Sequence, residues 1–193
     1  EMKTEGGGLT AEGNVASTFV QKPASGGQVG EPLHAVADRL EYDGTRRTSQ
    51  FQGHARLWQG ESFLVEGDSI DWSPSAGELQ ARKKVYSVFR QTPGGPDSKK
   101  PAPLSAATRP AASRPIATGG KDDSITIRAD SFLYRHLQRL AHYEGGVQMQ
   151  NASGIVTASE MDIFLEQPAA QSSSELSLSA GQIDRAVAKD QVR

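Results

Sequence analysis

ADRLEY, residues 37–42, returns ninety-two residues later as ADSFLY, residues 129–134, with Ala, Asp and Tyr in the same places. The match continues at the same offset, where FQGHARL (51–57) falls on YEGGVQM (143–149). With one residue deleted, VEGDSIDW (65–72) falls on VTASEMDI (156–163). A third phrase occurs three times, as LTAEGNV (9–15), LQARKKV (79–85) and AVAKDQV (186–192), each with Ala four residues before Val. Val15 to Val85 spans 70 residues, which sets the repeating unit at about that length. Self-similarity on this scale is the mark of stacked supersecondary units. The chain opens and closes inside the third phrase, which predicts an array cut at both ends.

Within the repeats the hydrophobic signal has period two. In FQGHARLW, Phe51, Gly53, Ala55 and Leu57 share one face, and Gln52, His54 and Arg56 share the other. In EGGVQMQ, Gly145, Val147 and Met149 alternate with Gly146, Gln148 and Gln150. These are half-buried strands. DGTRRTSQ (43–50) and SPSAGE (73–78) supply the turns between them. FLVEG (63–67) leaves its phase open, because Phe63/Val65 and Leu64 are both buriable. FLYRHLQRLAHY (132–143) alone would fit a short helix as well as a strand; the repeat favours strand, turn, strand.

The repeats occupy residues 1–91 and 124–193. Between them, residues 92–123 hold six of the ten prolines and no aromatic residue. That composition cannot bury enough apolar surface to offset ordering entropy, so it reads as a flexible insertion. KPASGGQVGEP (22–32) and EQPAAQSSS (166–174) read as loops on the same ground. A formal net charge of −2 in 193 residues gives no electrostatic case for nucleic acid. No apolar run approaches the length of a transmembrane segment. With no cysteine there is neither a disulfide nor a thiolate metal site.

Catalytic constellations are missing from the sequence. The four histidines, His34, His54, His136 and His142, lack metal-ligand spacing and read as surface residues. GESFLVEG (60–67) is not a nucleophile elbow. Gly6–Gly8 is followed by no Lys-Ser/Thr pair, so it is no phosphate loop. Glu61, Glu66, Asp68 and Asp71 lie close in sequence, but on strands they would split between faces. The chain reads as no enzyme, with no metal and no cofactor.

The succession A-D-x-[LF]-x-Y, turn, [FY]-x-G-x-[AV]-x-[LM], a G-D-x-I phrase and A-x-x-x-V resembles the OstA-like (LptA) family. That family includes the periplasmic bridge proteins of lipopolysaccharide transport and the N-terminal domain of the outer-membrane translocon. Residues 33–89 follow the pattern almost phrase by phrase, and residues 124–164 more loosely. The resemblance implies an all-β fold: an open, twisted β-jellyroll of stacked antiparallel strand repeats with an apolar inner face. It implies a periplasmic location and lipopolysaccharide as partner, with lipid A acyl chains in the trough. It also implies edge-strand pairing with other OstA-like proteins or head-to-tail with itself.

If that fold holds, inward residues follow the period. They are Leu40, Tyr42, Phe51, Ala55, Leu57, Ile70 and Trp72 in the first unit. Their counterparts in the second are Phe132, Tyr134, Tyr143, Val147, Met149, Met161 and Ile163. Only an open trough would make them a lipid site; a filled core would make the chain a structural scaffold. A polysaccharide-processing β-helix enzyme would need outward carboxylates and aromatics on successive coils, and Trp58 is the one outward aromatic the pattern places.

Overall fold

In the computed structural model, residues 2–5, 7–20, 31–90, 124–166 and 183–189 are described. They form ten strands: β1 (Met2–Glu5), β2 (Gly8–Phe19), β3 (Leu33–Asp43), β4 (Thr48–Gln59), β5 (Phe63–Ser73), β6 (Glu78–Arg90), β7 (Ser124–Arg135), β8 (Leu140–Asn151), β9 (Gly154–Leu165) and β10 (Ile183–Lys189). The strands lie in chain order in one antiparallel sheet, and β1 and β10 are its unjoined edges. The fold is therefore all-β and open. Residues 132–143 form the end of β7, a turn and the start of β8, not a helix. The Pro-rich insertion and most of the two predicted loops lie outside the described residues. The strands flanking the insertion, β6 and β7, pair directly from Glu78↔Arg135 to Arg90↔Ser124.

Every strand pair but β1–β2 slips register once, and from β2 to β9 the slips line up across the sheet at mid-strand. The even strands carry the extra residue there, each through two successive left-handed residues: Gly13–Asn14, Gly53–His54, Lys83–Lys84 and Gly145–Gly146. Facing them on the odd strands stand the single residues Asp38, Asp68, Asp130 and Ser159. A bulge bends its strand, so a row of bulges creases the whole sheet. The crease divides it into a first wall (8–12, 39–43, 48–52, 69–73, 78–82, 131–135, 140–144, 160–165) and a second wall (15–19, 33–37, 55–59, 63–67, 85–90, 124–129, 147–151, 154–158).

The two walls face each other. Phe19 on β2 meets Trp72 on β5 with ring centroids 4.4 Å apart, although three strand spacings in a flat sheet would be roughly 14 Å. The Tyr143 hydroxyl in the first wall is 2.7 Å from Ser87 Oγ in the second. The second-wall row beside the crease holds only small or β-branched residues: Val15, Ala37, Ala55, Gly67, Val85, Ala129, Val147 and Ala158. Larger rings stand opposite it in the first wall, Phe51, Phe132 and Tyr143, and farther out in the second, Phe89, all fully buried.

Turns at the rim of the first wall stack on one another. Asp43 Oδ1 accepts hydrogen bonds from the Thr45 and Arg46 amides at 2.9 and 3.1 Å, closing the β3–β4 turn. The His136 amide donates to the Gly77 carbonyl of the preceding turn at 2.8 Å. At the opposite rim Asn151 Oδ1 accepts from the Ser153 and Gly154 amides between β8 and β9.

Candidate functional site: the apolar interior

Cross-strand pairing sorts the inward residues into ladders that run along the sheet. Leu40, Phe51, Ile70, Ala81, Phe132, Tyr143 and Met161 are successive partners deep in the first wall. Tyr42, Ser49, Trp72, Leu79, Tyr134, Ala141 and Ile163 form the row nearer its turns. In the second wall, Leu57, Val65, Ser87, Ile127 and Met149 follow one another in the same way. Ladders of the first four-strand unit, β2–β5, pass straight into those of β6–β9.

All fourteen residues expected inward lie on this inner face. Thirteen are buried, and Tyr42, near the β1–β2 end, is half-buried. Several second-wall residues that the repeat alignment did not single out belong to the same surface, among them Leu33, Phe63, Val65, Phe89, Ile125 and Ile127. The alternation in SITI carried Ile125 and Ile127, whereas VYSVF, apolar at four of its five positions, alternates too poorly to place Phe89. Phe63 and Val65 point inward and Leu64 outward, which fixes the phase that FLVEG left open.

The interior is apolar and filled. Phe51, Leu57, Ile70, Phe132, Tyr143 and Ile163 have no exposed surface at all. Burial pushes the Tyr143 phenol well above the ordinary tyrosine range, against the smaller opposing effect of its bond to Ser87. Tyr134, also desolvated, is pushed up to about 12. Two buried polar atoms in the second wall, Ser17 Oγ and Gln59 Oε1, have no hydrogen-bond partner among the described residues. The Gln59 amide nitrogen donates to the Glu31 carbonyl at 2.7 Å.

The outside of the first wall is charged. Arg39 bridges Glu12 and Glu41, Arg82 pairs with Asp71 at 2.7 Å, and Arg135 with Glu78 at 3.5 Å. His142 lies between two carboxylates, with Nδ1 2.5 Å from Asp162 and Nε2 3.0 Å from Glu144. Partial burial lowers its pKa, but the hydrogen bonds and charges of Asp162 and Glu144 outweigh that and raise it. Lys189 of β10 completes the cluster, 2.7 Å from the other Asp162 oxygen. A depression of about 870 Å³ at β2–β5 is lined chiefly by such polar groups, including Arg39, Glu41, Gln50 and Asp71.

The expected division of Glu61, Glu66, Asp68 and Asp71 between two faces is not what the chain does. Glu66 pairs with Arg56 outside the second wall, Asp71 with Arg82 outside the first, and Asp68 sits exposed at the crease. The crease resets the alternation between residues 66 and 71, so both parities point outward. Glu61, in the β4–β5 turn, reaches Arg90 at 3.4 Å. Of the histidines, His54 is exposed beside Asp38 at 2.9 Å and His34 stacks on Trp58. His136 and His142 are partly covered. Among the described residues no group of three or more His, Asp or Glu side chains is arranged to hold a metal.

An open antiparallel sheet, folded along a line of bulges around an apolar interior, is the class that this geometry defines. No family model and no curated protein matches the sequence. Among solved structures the chain is similar to LptH of Pseudomonas aeruginosa, described as the LptA-homologous periplasmic component of the conserved lipopolysaccharide transport device. Identity is 13% and the TM-score 0.48, over 80% of this chain and 94% of that one. No helix among the described residues is long and apolar enough to cross a membrane.

Proposed function

We propose that the chain is a non-enzymatic conduit module, located in the periplasm, that carries lipopolysaccharide by holding lipid A acyl chains between its two walls. The observation that supports this reading is the unbroken apolar ladder of the inner face. It runs from β2 to β10, while among the described residues the walls are covalently joined only through the crease. Away from the crease the walls meet through side chains such as Phe19 against Trp72. Acyl chains would enter by parting them. Each buried methylene returns about 0.8 kcal/mol, so a dozen would supply roughly 10 kcal/mol toward the wall contacts they replace. The saccharide would stay in solvent. Unpaired strand edges would let the sheet continue into another such module.

The filled interior favours a second reading, a structural repeat domain whose core binds nothing. Addition of lipopolysaccharide with brominated acyl chains separates the two. Quenching of Trp72 fluorescence, saturable and competed by unlabelled lipopolysaccharide, is expected of a conduit. Trp72 emission unchanged at saturating lipid would leave the scaffold.

A further inference from the structure

The two four-strand units differ in how they satisfy the polar groups of the interior. In β6–β9, Ser87 Oγ and the Tyr143 hydroxyl meet at 2.7 Å across the walls. Ser17 precedes Ser87 by the 70 residues that separate Val15 from Val85, and the residue 92 places before Tyr143 is Phe51. The first unit, β2–β5, therefore keeps the serine and lacks the hydroxyl. Phe51 reaches toward β2 all the same, its ring centroid 6.3 Å from that of Phe19. Ser17 Oγ, though buried, has no hydrogen-bond partner among the described residues.

Gln59 repeats the contrast. Its counterpart, 92 residues on, is Asn151, whose Oδ1 accepts from the Ser153 and Gly154 amides. Gln59 points inward and is 1% exposed. Along its cross-strand row stand Phe19, Leu33, Phe63, Phe89 and Ile125. Only the amide nitrogen can donate to the Glu31 carbonyl, so that bond fixes the amide and turns Oε1 the other way. There Oε1 has no partner among the described residues. A carbonyl oxygen stranded in an apolar site costs stability, and native structures keep few such groups. Oε1 can only accept, so what it calls for is a donor, and an apolar surround favours a donor carried on an apolar molecule.

We propose that the first unit selects acyl chains that carry a hydroxyl group near their polar end, with Gln59 Oε1 accepting the hydroxyl proton. The position follows from the strand: Gln59 is the last residue of β4, beside exposed Glu31, so the acceptor lies just inside the mouth of the interior. A chain with its head group in solvent would bring a nearby hydroxyl to that depth. The inference rests on the conduit reading and deepens it. The second unit, its equivalent polar groups already paired, would hold plain hydrocarbon, and Gln59 would be the residue that sets which chains the interior prefers.

Calorimetric titration of the whole chain with myristate and with β-hydroxymyristate, both below their micelle concentrations, tests it. The two lipids differ by one hydroxyl, and the readout is the ratio of their affinities, which a merely structural role for Gln59 would not move. Gln59→Leu removes the acceptor and an unsatisfied buried group together, so its urea midpoint should not fall below that of the wild type. In that variant the ratio should drop about tenfold, through weaker binding of the hydroxylated chain, while myristate binds at least as well as before. If Gln59→Leu lowers the urea midpoint, Gln59→Met, closer in shape, takes its place with the same drop expected. An unchanged ratio with both lipids still bound overturns this inference and leaves the conduit reading standing. If neither lipid binds the wild-type protein, the conduit reading falls and takes this inference with it.

Discussion

The Asp38 carboxylate rests on the α-carbon of Gly53 in the next strand, and Asp130 rests on Gly145 in the same way. A β-carbon at Gly53 would stand 2.9 Å from Asp38 Cβ, and one at Gly145 would stand 2.6 Å from Asp130 Cβ. Each pair lies on the crease with its glycine at positive φ, 73° and 81°. The Asp of the repeated phrase and the mid-strand Gly are thus one device, which lets the bulge close against its neighbour.

Gly53→Ala should therefore destabilise the protein by more than about 2 kcal/mol, the left-handed backbone alone contributing about 1–2. In an Asp38→Gly background the same change should cost about 1 kcal/mol less, because the clash has gone. Urea denaturation of the four proteins of this cycle measures the coupling. Additive effects would mean that Asp38 does not seat on Gly53.

Lys83→Gly and Lys84→Gly should act in the opposite sense. Glycine in a strand normally weakens it, but here it removes an unfavourable φ and should stabilise by about 0.5–1 kcal/mol at each site. A rise in urea midpoint at unchanged slope is the expected signature.

Tyr143 and Ser87 are the polar tie across the interior. Tyr143→Phe strands Ser87 Oγ in an apolar site, and Ser87→Ala strands the phenol; each should cost about 1–3 kcal/mol. The double variant should cost less than the sum. Ultraviolet titration gives a second check: Tyr134 should ionise near 12, and Tyr143 only as the protein unfolds. Both phenols are neutral when folded. Their contribution to stability is full below the ordinary value of 10 and lost as pH rises above it.

His142 predicts a pH dependence near neutrality. Both ring nitrogens face carboxylates, so both need protons, and its pKa lies above the ordinary histidine value of 6.5. The raised value means that this contribution is complete below 6.5 and lost as pH rises through the folded pKa. An NMR titration should place the His142 inflection above 6.5, and His142→Gln should flatten the stability profile over that window. An inflection at or below 6.5 would contradict the bridged geometry.

Strand character and most of the inner face were legible in the sequence because alternation is local and the repeat supplied two readings of each strand. The crease was not. In β3 the inward set runs Leu33, Ala35, Ala37 and then Leu40, skipping two residues, whereas β4 keeps Ser49, Phe51, Ala55, Leu57 and Gln59 in phase. Only cross-strand register reveals that difference, and it misdirected the reading of Glu66 and Asp71. The role of Asp38 was hidden for the same reason, since its partner Gly53 lies on another strand. The phase of FLVEG escaped because Leu64, though outward, is apolar; its cross-strand neighbours Trp58 and Val88 face outward with it.

Site-specific photo-crosslinking tests the central claim most directly. Benzophenone side chains would be placed at Leu57 and Met149, which face inward, and at their neighbours Arg56 and Gln148, which face outward. With lipopolysaccharide added to the folded protein, adducts are predicted at the first two positions and not at the second two. No adduct at Leu57 or Met149, or equal capture at all four, would contradict an interior that carries acyl chains.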